Sequence, residues 1–206
     1  MRPEHVTDVE AGLQWEGRTV EAGVNGFLMQ FQDEIAAIGT MTINGTPLRK
    51  NVPRSHRAGV EIDATWRPGR AVTLTGNAML MRARIEEYTD DASGTTYRDV
   101  APVLSPSVIA NLDGRWRASR RFELGAGLRY VGQSQLANDG SATQVLPAAT
   151  LADLRASVRA GHFEVRGQVL NVFDANAYAS GYTDGTSRYL FSTAGRSVLT
   201  TVVIGW

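Results

Sequence analysis

The sequence predicts an all-β fold: an antiparallel up-and-down transmembrane β-barrel segment of about nine strands, with short periplasmic turns and long extracellular loops. Three observations predict it. Apolar and polar residues alternate with a period of two along most of the chain, and no window has the period of an amphipathic helix. Short and long connections between these runs follow each other in strict alternation. Tryptophans stand on the apolar face, at the short-connection end of their runs.

Each predicted strand is an alternating run bounded by turn or loop residues. The first four cover residues 7–15, 19–31, 56–66 and 71–88. The next five cover residues 107–116, 121–131, 150–160, 163–171 and 196–206. The last run alternates less regularly, because Leu199 and Val203 fall on its polar face.

The connections between the runs have two lengths. Tight links occupy residues 16–18, 67–70, 117–120 and 161–162. Long polar segments occupy residues 32–55, 89–106, 132–149 and 172–195. In an up-and-down sheet this order places every tight turn at one end and every long loop at the other. Outer-membrane barrels have that asymmetry, whereas a soluble β-sandwich has no reason to keep it.

The tryptophans predict a membrane girdle, made of Trp15, Trp66, Trp116 and Trp206. Tryptophan favours the bilayer interface, where its ring is buried and its N–H stays hydrated. The alternative is four core tryptophans of a sandwich. The opposite face of the runs carries charged residues of both signs among Gly, Ser and Thr, which indicates a polar lumen or, alternatively, the solvated face of a sheet.

Composition excludes several classes of function. The 206 residues contain 21 Lys+Arg and 21 Asp+Glu, so neither a basic nucleic-acid groove nor a polybasic membrane patch is expected. Cysteine is absent and the three histidines lie far apart, so neither a metal site nor a cofactor is predicted. The run 125–130 begins like a dinucleotide-binding loop, but Tyr130 replaces its third glycine and no helix follows. No catalytic constellation remains.

Two of the long segments hold aromatic and basic residues suited to ligand contact. The ligand-binding candidates in these extracellular loops are Tyr97, Arg98, Tyr182, Arg188 and Tyr189. The alternative role for loop aromatics is an upper membrane girdle, which we favour for Tyr88, Tyr130 and Phe173.

Several segments, in order along the chain, resemble the barrel of the TonB-dependent outer-membrane receptors. The resemblance lies in residues 2–13, 27–35, 57–61 with 66–68, 171–174 with Tyr178, and the terminal aromatic Trp206. The run Asn171-Val172-Phe173-Asp174 is the most specific of these, because the family has a similar "NlfD" run near its end.

The resemblance implies that residues 1–206 are the C-terminal portion of the β-barrel domain of such a receptor, with the plug domain absent. The family has a barrel of about 22 strands filled by that plug. It takes up large scarce solutes such as ferric siderophores or cobalamin across the outer membrane of Gram-negative bacteria. The implied partners are outer-membrane lipid, a siderophore-like or cobalamin-like solute, and the barrel-insertion machinery through the C-terminal strand. TonB and the plug are implied only for the full-length protein.

Two other functions remain open from the residues alone. The chain is alternatively a small self-contained outer-membrane barrel, acting as a passive pore or adhesin and closed by a further strand within residues 41–48. It is otherwise a soluble β-sandwich binding module whose apolar faces form the core.

Overall fold

The computed structural model describes residues 1–205, which form strands, turns and loops. In this range no helix is long and apolar enough to cross a membrane. The first seven strands are β1 (His5–Glu16), β2 (Val20–Met41), β3 (Pro47–Trp66), β4 (Val72–Thr89), β5 (Thr96–Val100), β6 (Val108–Arg117) and β7 (Phe122–Val131). The next seven are β8 (Ser134–Gln135), β9 (Val145–Leu146), β10 (Ala149–Ala160), β11 (Phe163–Leu170), β12 (Tyr178–Thr183), β13 (Arg188–Ser192) and β14 (Ser197–Ile204).

One large antiparallel sheet contains the nine strands that the sequence predicts. Its order is β1-β2-β3-β4-β6-β7-β10-β11-β14, and β5 pairs with the outer part of β4. β1 and β14 lie at its two edges and do not pair with each other within residues 1–205. The predicted up-and-down order is therefore confirmed. We call the end with the tight connections the turn end and the other the loop end.

The long connection predicted at residues 32–55 is mostly strand. β2 and β3 continue their ladder to the Met41–Pro47 pair, and a turn closes the hairpin through Gly45 N–H to Thr42 O at 2.9 Å. Residues 41–48 therefore form a hairpin tip, and the alternative in which they add a strand that closes a small barrel is wrong. The sequence did not predict this extension, because apolar and polar residues do not alternate along residues 34–41.

The β2–β3 hairpin changes the direction of its side chains at Asp33. This residue has φ of 54° and lies opposite Pro53, between the Gln32–Arg54 and Glu34–Val52 pairs. Before Asp33 the even-numbered residues of β2 face the apolar side of the sheet; after it, Glu34 and Ala36 are buried on the other side. The left-handed backbone at Asp33 thus reverses which residues of the hairpin point to the inner side of the sheet.

The two faces of the sheet differ in chemistry along its whole width. On the outer face the register aligns Val60 with Leu80 and Val108, and these side chains stay exposed or half-exposed. On the inner face Asp63 lies beside Asn77, whose side chain accepts a hydrogen bond from Asn111 at 2.8 Å. The apolar side chains therefore cover one face of a single sheet, which is incompatible with their forming a sandwich core.

Glycines of β7 permit an ion pair across a whole strand. Arg155 of β10 binds Asp113 of β6 over the inner side of β7, where Gly125 and Gly127 carry no side chain. A Cβ at Gly125 would lie 3.2 Å from Arg155 Nε, closer than most real contacts. The Gly-x-Gly spacing in the run 125–130 thus has a structural role in the sheet.

A small apolar core lies at the loop end, where β2, β3, β4 and β5 meet. It contains Ala36, Val52, Ile85, Tyr88 and Val100, with Ile38 and Tyr97 packed against it. Ile85 is 0% exposed. Burial, followed by the charge of Asp90, raises the pKa of Tyr88 to about 12, so its phenol stays protonated. This core holds the outer part of the sheet together. The upper-girdle role predicted for Tyr88 is wrong, because its side chain is 6% exposed and packs within the protein.

We expect Ile85→Ala to loosen the loop end, because a buried cavity replaces a fully packed side chain. Such truncations lower the free energy of unfolding by about 2–5 kcal/mol. Protease cleavage within residues 89–106, measured against urea concentration, reports the local opening free energy. Ile43→Ala is the matched control, since it is the same truncation at a fully exposed side chain outside the segment whose cleavage is measured. Equal cleavage of both variants would contradict the packing role of Ile85.

Candidate functional site

The long connections pack against one another at the loop end and form what we call the loop layer: residues 32–55, 89–106, 132–149 and 172–195. Asn138 joins three of them, although it is 1% exposed. Its Nδ2 donates to Ala37 O at 2.8 Å, and its Oδ1 accepts from Val103 N–H at 3.0 Å. A buried side chain with both of its polar atoms bonded holds these segments in one arrangement.

The fourth segment is attached through β12 and β13. Gln144 Nε2 donates to Thr186 O at 3.3 Å, and the Thr183 hydroxyl lies 2.9 Å from Gln144 Oε1. Leu136, fully buried, approaches so closely that a Cβ at Gly181 would lie 3.2 Å from its Cδ2. All four long connections are therefore part of one packed layer.

The β12–β13 hairpin, which we call the aromatic hairpin, presents aromatic rings on its other face. The rings of Tyr182 and Tyr189 stack with centroids 4.8 Å apart and planes 12° apart. Phe191 lies 6.0 Å from Tyr182. Tyr189 and Phe191 are about half-exposed, so the layer carries an accessible aromatic surface.

Asp184 organises the tip of the aromatic hairpin. Its Oδ1 accepts hydrogen bonds from Ser187 N–H at 2.7 Å and Thr186 N–H at 2.9 Å. Its Oδ2 accepts from the Tyr189 hydroxyl at 2.9 Å. The Ser187 and Thr186 amides, followed by that hydroxyl, lower the pKa of Asp184. The same bond raises the pKa of Tyr189, because the carboxylate stabilises its protonated form.

The structure brings together some of the predicted ligand residues and separates others. Tyr182 and Tyr189 stack, whereas Arg188 lies on the opposite face of the hairpin and donates to Val145 O at 3.1 Å. Tyr97 packs on the apolar core, and Arg98 forms an exposed ion pair with Glu87 at 3.0 Å. A binding role for any of these five residues stays a prediction.

Two contributors to this surface were not among the predicted candidates. Phe191 shares the face of Tyr189, because residues two apart in a strand point to the same side. Strand periodicity could therefore have predicted it. Asp184 begins an Asp-Gly dipeptide, which is a signal for a hairpin turn, but that signal does not indicate the bond from the Tyr189 hydroxyl.

The tryptophans predicted as a girdle share the outer face at the turn end. Trp15, Trp66 and Trp116 pair with Ala22, Val20 and Leu124 respectively, and they are 66%, 47% and 50% exposed. Trp206 lies outside the described residues. Contact of this row with lipid stays a prediction.

A polar concavity of about 450 Å³ lies on the inner face at the turn end and extends from β4 to β11. Glu164 lies in it between two arginines, with Arg166 Nε at 2.9 Å and Arg159 at 3.3 Å. Among the described residues no group of three or more His, Cys, Asp or Glu side chains is placed to hold a metal ion.

Comparisons with known proteins identify relatives of this chain. The family model described as "TonB dependent receptor-like, beta-barrel" matches residues 1–172. The ferrioxamine receptor of Yersinia enterocolitica is 32% identical over 154 residues, which cover 70% of this chain and 20% of that receptor. The chain therefore spans about a fifth of the length of that relative.

Solved structures show the same fold at low identity. The ferric yersiniabactin uptake receptor FyuA of Yersinia pestis aligns with a TM-score of 0.76 at 19% identity, covering 98% of this chain and 30% of that one. The ferric-catecholate import receptor Fiu of E. coli K12 aligns with a TM-score of 0.74 at 20% identity, covering 98% and 28%. The sequence-predicted fold class, an antiparallel barrel segment, is confirmed.

We expect Asp184→Asn to loosen the tip of the aromatic hairpin. The depressed pKa means that ionised Asp184 stabilises the fold above its ordinary pKa near 3.8, and this stabilisation is lost as pH falls through the lower folded value. Hydrogen–deuterium exchange at Thr186 and Ser187 should therefore be faster in the variant at pH 7. The difference should shrink as the wild-type protein is acidified below about pH 4. Exchange equal to wild type at neutral pH would contradict this role.

Proposed function

Because the chain belongs to the TonB-dependent receptor β-barrel family, we propose that it forms part of an outer-membrane transporter for a ferric siderophore. The family consists of receptors and transporters, not enzymes. The relatives described above are named for ferrioxamine, ferric yersiniabactin and ferric catecholates, which favours an iron-chelate solute over cobalamin.

The observation that carries this proposal is the division of one wide sheet into an apolar outer face and a polar inner face. A membrane-spanning sheet needs lipid-compatible side chains outside and tolerates charge inside. The inner face satisfies its charges locally, as in the Arg155–Asp113 and Arg117–Glu123 pairs. The arrangement suits a barrel wall with a hydrated interior in a Gram-negative outer membrane.

We propose that the turns face the periplasm and that the loop layer meets the solute outside the cell. The aromatic hairpin gives this layer a broad, partly exposed apolar surface beside hydrogen-bonding groups. Siderophore complexes are bulky and combine apolar with polar surface, and aromatic side chains bind such surfaces with little loss of conformational freedom.

We further propose that residues 1–206 supply the C-terminal part of the barrel of a longer receptor. In that receptor the polar inner face would contact the plug, and TonB would supply the energy. The last strand would engage the barrel-insertion machinery through its terminal aromatic residue, Trp206. These partnerships rest on family membership and on the length of the relatives.

Uptake of radiolabelled solutes by cells that depend on the natural protein tests the proposed function, with radio-iron in the iron chelates and radio-cobalt in cobalamin. The panel should contain a ferric hydroxamate, a ferric catecholate and cobalamin, each with TonB present or deleted. TonB-dependent accumulation of one iron chelate supports the proposal. Passive entry that is independent of TonB would contradict it, as would uptake of cobalamin alone.

We expect the double variant Tyr182→Ala/Tyr189→Ala to weaken solute binding by about tenfold, because each ring contributes about 0.5–1.5 kcal/mol by stacking. Binding to the purified receptor is measured by fluorescence quenching, and the outer-membrane level is measured in parallel. Tyr189→Phe keeps the ring and should bind nearly as wild type. Tyr130→Ala, which removes an aromatic side chain from the outer face, is the matched control. Unchanged affinity in the double variant would exclude the aromatic hairpin from the binding surface.

A further inference from the structure

Three tight turns at the turn end repeat one pattern of side chains. Each turn is preceded by an outward-facing tryptophan and ends in an arginine, with two or three residues between the two. The pairs are Trp15 with Arg18, Trp66 with Arg70, and Trp116 with Arg120. The fourth turn, at Gly161-His162, has no such pair. We call the three pairs the Trp–Arg belt.

Backbone hydrogen bonds hold these turns in one row. Arg67 N–H donates to Thr19 O at 2.7 Å, and Arg117 N–H donates to Ala71 O at 2.7 Å, so each turn is tied to its neighbour. The indole of Trp15 lies over its own turn, since a Cβ at Gly17 would be 3.0 Å from Trp15 Nε1. The belt is therefore a fixed feature of the sheet and lies at one height.

The arginines of the belt are available for an external partner. Arg18, Arg70 and Arg120 are exposed, and none forms an ion pair with a carboxylate of residues 1–205. Other arginines of the same turns are already engaged: Arg67 pairs with Glu21 at 2.5 Å and Arg117 with Glu123 at 3.3 Å.

The neutral total, from which no polybasic membrane patch is expected, does not exclude a cationic end of the sheet, because charge is distributed unevenly between the turn end and the rest of the chain. Segments 16–21, 65–73, 115–123 and 159–164, which contain the turns and their flanking residues, carry eight arginines and four glutamates. The turn end is therefore cationic, and the remainder of the chain is anionic by the same amount. A cationic rim attracts negative groups within about one Debye length, roughly 8–10 Å in salt solution.

We propose that the Trp–Arg belt binds the phosphate groups of anionic phospholipids in the leaflet that the turns face. This inference rests on the membrane orientation proposed above. Tryptophan positions itself at headgroup depth with its N–H towards water, and arginine binds phosphate through several N–H donors at once. An acidic protein in the aqueous phase would match the arginines but would leave the adjoining tryptophans without a function, so a lipid is the better fit.

The test uses the natural protein that carries this segment, reconstituted in nanodiscs with spin-labelled phosphatidylglycerol or phosphatidylcholine. The motionally restricted fraction of each lipid gives the preference for the anionic headgroup. An arginine near a membrane surface favours an anionic lipid by about fivefold at low salt. We expect a preference of that order for the wild-type protein. It should be clearly smaller in Arg18→Gln/Arg70→Gln/Arg120→Gln.

The matched control is Arg67→Gln/Arg117→Gln/Arg159→Gln, which removes the same charge from the same end but from arginines paired with glutamates. It should keep most of the preference. Changing Trp15, Trp66 and Trp116 to Phe should reduce the preference in part, since the ring stays but the N–H is lost. Added salt should weaken the preference of the wild-type protein.

The proposal is overturned if the wild-type protein does not prefer phosphatidylglycerol, or if both arginine triples lower the preference equally. Iron uptake measured in the same variants separates this result from the proposed function. Iron uptake without a preference for the anionic lipid would contradict only the proposal that the belt binds lipid phosphate. A preference for the anionic lipid without iron uptake would contradict the proposed transport function and support lipid binding by the belt.

Discussion

The structure depends on one constraint: an antiparallel ladder fixes which side chains share a face. Each strand of the main sheet bonds laterally to its neighbours, and successive side chains point to opposite sides. A shift of one residue in any strand would place its charges among apolar neighbours. The rows Val60–Leu80–Val108 and Leu112–Leu128–Ala152 show that the register is kept from β3 to β10. The distinct faces, the tryptophan row and the ion-paired interior all follow from it.

The strands were predictable from sequence because alternation is a local signal. The nine predicted runs correspond to β1, β2, β3, β4, β6, β7, β10, β11 and β14, with most ends within two residues. The outer halves of β2 and β3 and the short strands of the loop layer were not predicted. Their side chains pack against other loops and not against one continuous apolar face, so the period-two pattern is lost there.

The candidate site was predictable only in part, for a related reason. Tyr182 and Tyr189 stand seven residues apart on either side of the turn at Asp184–Ser187, so a hairpin with this turn places them opposite each other. Asn138 bonds to Ala37, 101 residues earlier in the chain, and no local pattern indicates that contact. The separation of Arg188 from the two tyrosines follows from strand alternation, since neighbouring residues of β13 point to opposite faces. Only its hydrogen bond to Val145 O depends on another loop. Contacts between distant segments therefore determine the arrangement of the loop layer, whereas local periodicity determines the strands of the main sheet.

The left-handed backbone at Asp33 has a consequence for how this hairpin tolerates mutation over evolutionary time. Before it, even positions of β2 such as Val24 and Leu28 are exposed on the apolar face, where a charged replacement would be costly in the membrane orientation proposed above. Beyond it, even positions such as Glu34 and Ala36 are buried within the protein, where volume and hydrogen bonding decide what is accepted. Two different physical constraints on substitution are thus expected within one continuous strand, and Asp33 is the boundary between them.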